Sequence, residues 1–460
     1  MKLKTYLQDN LTFRFTDNIL FSKKEIYAIL LPVILETFLS YFIGMMDSVM
    51  VSSAGEAAIS AVSLVDAISV LFINIFAALA NGGGVVTGQL LGKSNAGKSK
   101  SSAEQMIMLL LGSSLIFSAL LLVFQNSILR FLYSSAELAV QENCRIYYHI
   151  VMMSIPFIAL YNGGAVLFRM DGDSATPLKV SMIMNAINVI GNAILIYVFK
   201  MGVAGVAIPT LVSRAVASII ILIPLLRKDT PVSLSNIRSY RPDRVLISHI
   251  FNIGVPNAIE NGMFQFGKLI LMTLVSTLST AAITANAIGN SMASMHCVIG
   301  MAANSALMAV VSRCVGAGDF YQARWYTRYI LVKTCVWQGI ANILLVIAIP
   351  LTLKVYHCSP ETASLTIPIL LIHGISSIIL WPPAFMLNIS MRSAGDSQFA
   401  MWIASVSMWL CRVAGAYILV KVFNTGVVGI WVAWIIDWIF RCAFFVPRYL
   451  GHKWETKAIH

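Results

Sequence analysis

Residues 32–47 read PVILETFLSYFIGMMD and place two carboxylates inside an apolar run extending from about residue 26 to 51. On an α-helix the step from Glu36 to Asp47 is three turns with a residual rotation of roughly 20°. Glu36, Ser40, Gly44 and Asp47 therefore share one face, a polar and small stripe on an apolar rod. Insertion scales put an Asp at the centre of a bilayer at roughly 2.5–3.5 kcal/mol. The stripe should face a wet cavity, where an acid can hold a cation or carry a proton. A solvated place near the membrane surface is the alternative for either acid.

Two other polar faces follow. Asn185, Asn188 and Asn192 recur at i, i+3 and i+7 in MNAINVIGNAILI and share a face; they join a site or hydrogen-bond between helices. Asn257, Asn261, Gln265 and Lys268 repeat the first stripe's spacing with a base at its end, and Glu260 lies beside them. Glu260 and Lys268 stand about 80° apart around the helix. They can pair loosely with each other, or with Glu36 from the other half of the chain. The set reads as substrate contact or an inter-lobe latch, or else as a structural buried ion pair. Asp437 and Arg441, at i and i+4, read as a structural intrahelical pair. The lone Asp66 and Arg412 read as residues at membrane edges.

The elements that must position these residues are membrane-spanning helices. Of 460 residues, 58% are hydrophobic and 11% are charged, against roughly 25% charged in a soluble domain. Apolar runs recur at about 26–51, 57–91, 103–125, 141–168, 177–199, 203–226, 248–278, 281–314, 327–352, 363–391, 399–422 and 427–448, twelve segments able to cross a bilayer. Pro156, Pro209, Pro368, Pro382, Pro383 and the Gly82-Gly83-Gly84 run are candidate bends or close-packing points. The net charge of +12 comes from basic residues clustered in short loops, which orientation in a membrane explains better than nucleic acid does. Lys93, Lys98 and Lys100 mark the second loop, Arg169 the fourth and Arg324 the eighth, while the first and seventh carry no Lys or Arg. Both termini and the even loops should then be cytoplasmic. The seven cysteines form no CxxC and read as packing residues. No HExxH or GxSxG is present, and GKSNAGKS at 92–99 has the letters of GxxxxGK[ST] but lies in a short loop between two apolar runs and does not follow a strand, so neither an enzyme nor ATP as energy source has support.

The sixth loop, RKDTPVSLSNIRSYRPDR at residues 227–244, halves the chain, and the halves repeat. PVILE at 32–36 matches PNAIE at 256–260, an offset of 224. GEAAISA at 55–61 matches STAAITA at 279–285, and MGVAGV at 201–206 matches TGVVGI at 425–430, both by the same offset; RMDGDS at 169–174 matches RSAGDS at 392–397 at 223. Six helices per half make the repeats parallel, with substrate and ion sites at or beside their interface. The division is a cytoplasmic arm at 1–24, a first lobe at 25–226, a linker at 227–246, a second lobe at 247–450 and a cytoplasmic tail at 451–460.

The chain at this point resembles the multidrug and toxic compound extrusion (MATE) transporters over nearly its whole length, from Pro32 to Val446. The resemblance rests on MDSVMVSSAGEAAISAVS, GQLLGKSNAGKS, VGAGDFYQAR, MRSAGDS, GVAGVAIPTLVS and GVVGIWVAW, in that duplicated order of helices. It implies an all-α polytopic membrane protein with twelve transmembrane helices in two six-helix repeat lobes. It implies export of drugs or other organic compounds, cationic ones above all, in exchange for H⁺ or Na⁺ by alternating access. It places a cation-coupling site at Asp47, Asn188, Asn192 and Thr210: a carboxylate, two amide carbonyls and a hydroxyl, all hard oxygen ligands for a transient Na⁺ or H⁺. No cofactor and no other metal is expected. Some relatives have an aspartate where Asn192 stands, which leaves the ion's identity open. Many have a glutamate where this chain has Phe264 and an acid in the tenth helix, where ISSIILWPPAFMLNISM has none; the second-lobe sodium site should be absent. Glu36, Glu260, Asn261, Gln265 and Lys268 remain as lining or gate of the substrate cavity. The expected partners are small organic substrates and membrane lipid, with no nucleic acid, in a monomer of the plasma (inner) membrane. The rivals are a lipid-linked precursor flippase of the same superfamily and, further off, a channel or receptor.

The orientation is testable directly. A cysteine in the linker at 227–244 should react with an impermeant maleimide only after cells are opened. Labelling from outside intact cells would reverse the topology.

Overall fold

The structure, a computed structural model, describes residues 19–53, 55–133, 137–227, 230–234 and 240–458. The expected arm is therefore described only from Ile19, the linker only in part, and the tail only to Ala458.

The described residues form twelve helical rods. In the first half these are α1 (Lys23–Ser52), α2 (Glu56–Gly92), α3 (Ala96–Val123, followed by Gln125–Tyr133), α4 (Leu138–Met153 and Ile155–Asp171), α5 (Ala175–Ala193 and Ile194–Val198) and α6 (Ala204–Leu225). In the second half they are α7 (Arg244–Val275), α8 (Thr280–Gly316), α9 (Phe320–Ile347, followed by Ile349–Val355), α10 (Pro360–Ile379 and Trp381–Ser393), α11 (Ser397–Val406, Ser407–Ala414 and Gly415–Lys421) and α12 (Gly426–Leu450). Among the described residues nine helices are long and apolar enough to cross a membrane, or ten with the two segments of α4 taken together. The other two rods, α1 and α7, are 30 and 32 residues long and carry the polar stripes; about 20 residues suffice to span a bilayer.

Local chemistry sets where the rods start and stop, and it repeats with the sequence. Ser22 and Glu25 form a capping box at the start of α1. Asn95 caps α3 and Asp319 caps α9, each accepting from the backbone N–H three residues on. These two caps are equivalent under the repeat. So are Gly172 and Gly395, which end α4 and α10 at φ +96°, a left-handed conformation that glycine adopts without strain. Pro156 and the Pro382-Pro383 pair each open a helix after a break, at Ser154 and Leu380, and the break in α4 bends it by 40°. Pro209 and Pro368 lie inside continuous helices. The Gly82-Gly83-Gly84 run is a packing point: a side chain on Gly82 would press on the backbone of Gly254 in α7.

α1 packs on α5 and crosses to α8, while α7 packs on α11 and crosses to α2. Several contacts between the halves lie near the C-terminal ends of α2 and α8. There Gly92 of α2 lies against the Arg313 carbonyl, and Gly316 of α8 against the Gln89 carbonyl, each too close for a Cβ. Gln89 donates to the Ser393 carbonyl at 2.7 Å. Tyr326 bonds both backbone groups of Phe21, and Tyr27 meets Tyr329 at 3.0 Å. Phe21 is buried, so the end of the arm is docked onto the second half. Tyr240 and the Arg241 carbonyl are tied to Gln105 at 2.8 Å each, which pins the end of the linker to α3.

Overpacking this crossing typically costs about 1–3 kcal/mol, so Gly316→Val should force it open. Ser312 is fully buried there. Ser312→Cys should resist a water-soluble maleimide in the parent and react when Gly316→Val is added. Unchanged protection would mean that the crossing tolerates the bulk.

Candidate functional site

In the first half, packing of α1, α5 and α6 converges on Asp47. Asn192 Nδ2 donates to Asp47 Oδ1 at 3.0 Å. The Asn188 amide lies between Asp47 and Thr210, 3.0 Å from both carboxylate oxygens and 3.1 Å from the Thr210 hydroxyl. With its NH₂ towards Asp47 it donates to both oxygens of an ionised carboxylate. With its carbonyl towards Asp47 it accepts from a protonated one, and its NH₂ donates to Thr210. The amide thus has a satisfied orientation for either charge state. Asn192 Oδ1 is buried and lacks a donor. The four residues of the expected cation-coupling set are thus neighbours.

A cavity of about 190 Å³ opens on this group, lined by Gly44, Asp47, Asp66, Tyr147, Val206 and Thr210 among others. Asp66 accepts from Tyr147 at 3.0 Å. It is therefore a wall of Asp47's cavity and not a residue at a membrane edge. The signal was available, since Asp66 is an acid well inside an apolar helix, the feature that singled out Asp47. Among the described residues neither aspartate has a basic group within ion-pair distance, and no cluster of three His, Cys, Asp or Glu is placed to hold a metal.

The other candidate residues separate. Glu36 accepts from Arg169 at 2.7 Å and from Tyr161 at 3.1 Å, all within the first half. Glu260 accepts from Arg392 at 2.5 Å and Asn388 at 3.0 Å, with Arg441 at 4.0 Å, all within the second. The expected pairing of Glu260 with Lys268, or of either with Glu36 across the lobes, does not occur. Glu36–Arg169 and Glu260–Arg392 are instead the same buried ion pair in two repeats. Both members sit in the repeated blocks, PVILE with RMDGDS and PNAIE with RSAGDS, and that duplication was the signal for it. Asn261 and Gln265 are half-buried on α7 and line neither cavity described here.

Asp437 holds Arg441 at 3.1 Å, as its spacing suggests, and also meets Arg412 at 3.4 Å and accepts from Ser407. Arg412 is 2% exposed, so it lies in the core of the second half and not at a membrane edge. It sits on the π-helical segment Ser407–Ala414, a local widening often found at functional sites. Lys268 and Arg412 both line a second cavity, of about 300 Å³, walled by aromatic rings and closed on one side by Tyr41 of α1. Tyr41 reaches Met301 of α8 at 3.4 Å.

Removing one partner of a buried ion pair strands the other and typically costs about 3–5 kcal/mol. Glu260→Gln strands Arg392, and Glu36→Gln strands Arg169. Each should lower the thermal unfolding midpoint in detergent by several degrees. A wild-type midpoint in both would show that these pairs are not structural.

The MatE family model matches residues 32–194 and 256–418, two blocks offset by 224 residues. The "Probable multidrug resistance protein NorM" of Thermotoga maritima is 23% identical over 442 residues, 95% of this chain and 94% of that protein. The fold is also that of solved structures. One is described as "Crystal structure of MATE in complex with MaL6" (TM-score 0.86, 18% identity, 94% of this chain and 97% of the other). Another is a MOP superfamily transporter from Pyrococcus furiosus, reported for "reverse polarity of binding pocket" (TM-score 0.85, 19% identity, 94% and 96%).

Proposed function

Because this chain belongs to the MatE family of multidrug and toxic compound extrusion (MATE) transporters, we propose that it is a secondary antiporter exporting small organic compounds in exchange for H⁺ or Na⁺ by alternating access. One observation carries the reading. Asp47, in the last two turns of α1, is met by neutral donors and opens on a cavity. A carboxylate so placed needs positive charge, and only a mobile ion can supply and withdraw it. Asp47 is the coupling acid. The unpartnered Asn192 Oδ1 and the Thr210 hydroxyl offer neutral oxygens to Na⁺, while the Asn188 carbonyl accepts from the carboxyl group when a proton is the ion. Asp66 is a second acid on the ion's path.

The basic loops support a plasma-membrane protein with both termini cytoplasmic. The Gly92–Gly316 crossing is then a closed contact on the cytoplasmic side. The protein acts as a monomer, since one chain carries both repeats. The flippase reading has one observation in its favour, the basic lining of the second cavity, but about 300 Å³ is room for a small molecule.

Asp47→Asn copies the shape of a protonated aspartate and should leave insertion and folding intact while abolishing ion-driven efflux from energised vesicles. A well-inserted Asp47→Asn protein with wild-type efflux would sink the assignment. Proteoliposomes with imposed Na⁺ or H⁺ gradients identify the ion.

A further inference from the structure

The two halves share a scaffold, yet their cavities have opposite polarity. Around the first lie Asp47 and Asp66, with Arg214 in electrostatic range, an excess of one negative charge. Around the second lie four cations, Lys268, Arg392, Arg412 and Arg441, against two carboxylates, Glu260 and Asp437. The excess is two positive charges, and it is concentrated at the cavity wall. Arg392 and Arg441 are held by the carboxylates at 2.5 and 3.1 Å. Arg412 has only the longer contact to Asp437, and Lys268 has no carboxylate within 4 Å among the described residues.

Arg412 is buried and Lys268 exposed, and both stand over aromatic rings. Lys268 Nζ and Arg412 Cζ each stand 5.0 Å from the centroid of the Phe264 ring, and Arg412 Cζ is 4.2 Å from that of Trp434. A ring quadrupole attracts a cation without cancelling its charge, so the charge remains available to a ligand. Buried N–H donors are also left over: Arg412 Nε and Nη1, Trp434 Nε1 and Trp438 Nε1 have no acceptor. Buried donors normally find partners, and a set this dense lacks acceptor oxygens. Two acceptors are also without a hydrogen bond, Asn304 Oδ1 and Asp437 Oδ2, the second 3.4 Å from Arg412 Nη2, so the donors outnumber them two to one.

We propose that the second-lobe cavity binds an aromatic organic anion, a carboxylate or sulfonate of about two fused rings, with its charged group at Lys268 and Arg412 and its rings against Phe264, Trp434 and Trp438. This is the substrate class of the exporter proposed above, and it rests on that reading only for the step of transport. It replaces the cationic class that the resemblance implies, because a cation would add a third positive charge to a site that already has two in excess.

The test is binding to the purified full-length protein in detergent, followed by tryptophan fluorescence and calorimetry. The probes are naphthalene-2-sulfonate and the cationic 2-naphthyltrimethylammonium. The sulfonate should bind at least about tenfold more tightly than the cation. Lys268→Met should weaken the sulfonate by about tenfold or more and spare the cation, and Lys268→Arg should restore the sulfonate. Tighter binding of the cation to the wild-type protein overturns the proposal and needs no variant. So does sulfonate binding that is unchanged in a folded Lys268→Met protein. Counterflow of labelled sulfonate in proteoliposomes separates the two readings. Lys268-dependent binding without counterflow keeps the anion site and removes the exporter; ion-driven efflux of another compound without sulfonate binding does the reverse.

Discussion

Inside a membrane protein an ionised side chain must be met by an opposite charge or by enough hydrogen bonds to replace water. Most of the charge in this interior obeys that rule locally. Glu36 is closed by Arg169, Glu260 by Arg392, and Asp437 by Arg441. Once those pairs are set aside, the remainder is small and organised. Asp47 and Asp66 share one cavity, and Lys268 and Arg412 share the other. These unmatched charges are where the molecule retains affinity for something outside itself.

The repeat supplies a common frame, and function comes from where the copies diverge. Shared elements are mechanical: the ion pair tying the first helix of each half to the fourth, the caps Asn95 and Asp319, the left-handed glycines Gly172 and Gly395, and the glycines Gly92 and Gly316 at the crossing. The 224-residue offset of the matched blocks pairs Asp47 with Leu271 and Gly44 with Lys268. The carboxylate of one copy is a buried leucine in the other, and a stripe glycine has become a lysine. Duplicated rods thus carry cavities of opposite sign.

The crossing of α2 and α8 adds the dynamic element. Glycine there lets two backbones touch, so the lobes meet at one end partly through backbone atoms. Backbone contact of this kind leaves few side chains to reorganise if the lobes part. Among the described residues the ion pairs lie within the halves and not between them, so each half can move as a body while these charges stay matched.

The amino-acid sequence by itself determined the twelve rods, their grouping into two repeats and the face on which each polar residue lies. Those features are local: apolar length, 3.6-residue periodicity, caps and left-handed turns all act within a few residues. Asp47, Asn188, Asn192 and Thr210 could be grouped because the family resemblance supplied the contact between helices that periodicity lacks. The tertiary structure decided which charge meets which. Arg169 reaches Glu36 across 133 positions and Arg392 reaches Glu260 across 132. Periodicity shows only that Glu260 and Lys268 lie near one face of α7, and it is silent on which neighbouring helix offers a counter-charge. For the same reason Arg412, a lone charge in an apolar run, could not be placed until packing turned it towards Asp437. Lys268 was left without a carboxylate by that packing, because the arginines of α10 and α12 had already taken Glu260 and Asp437.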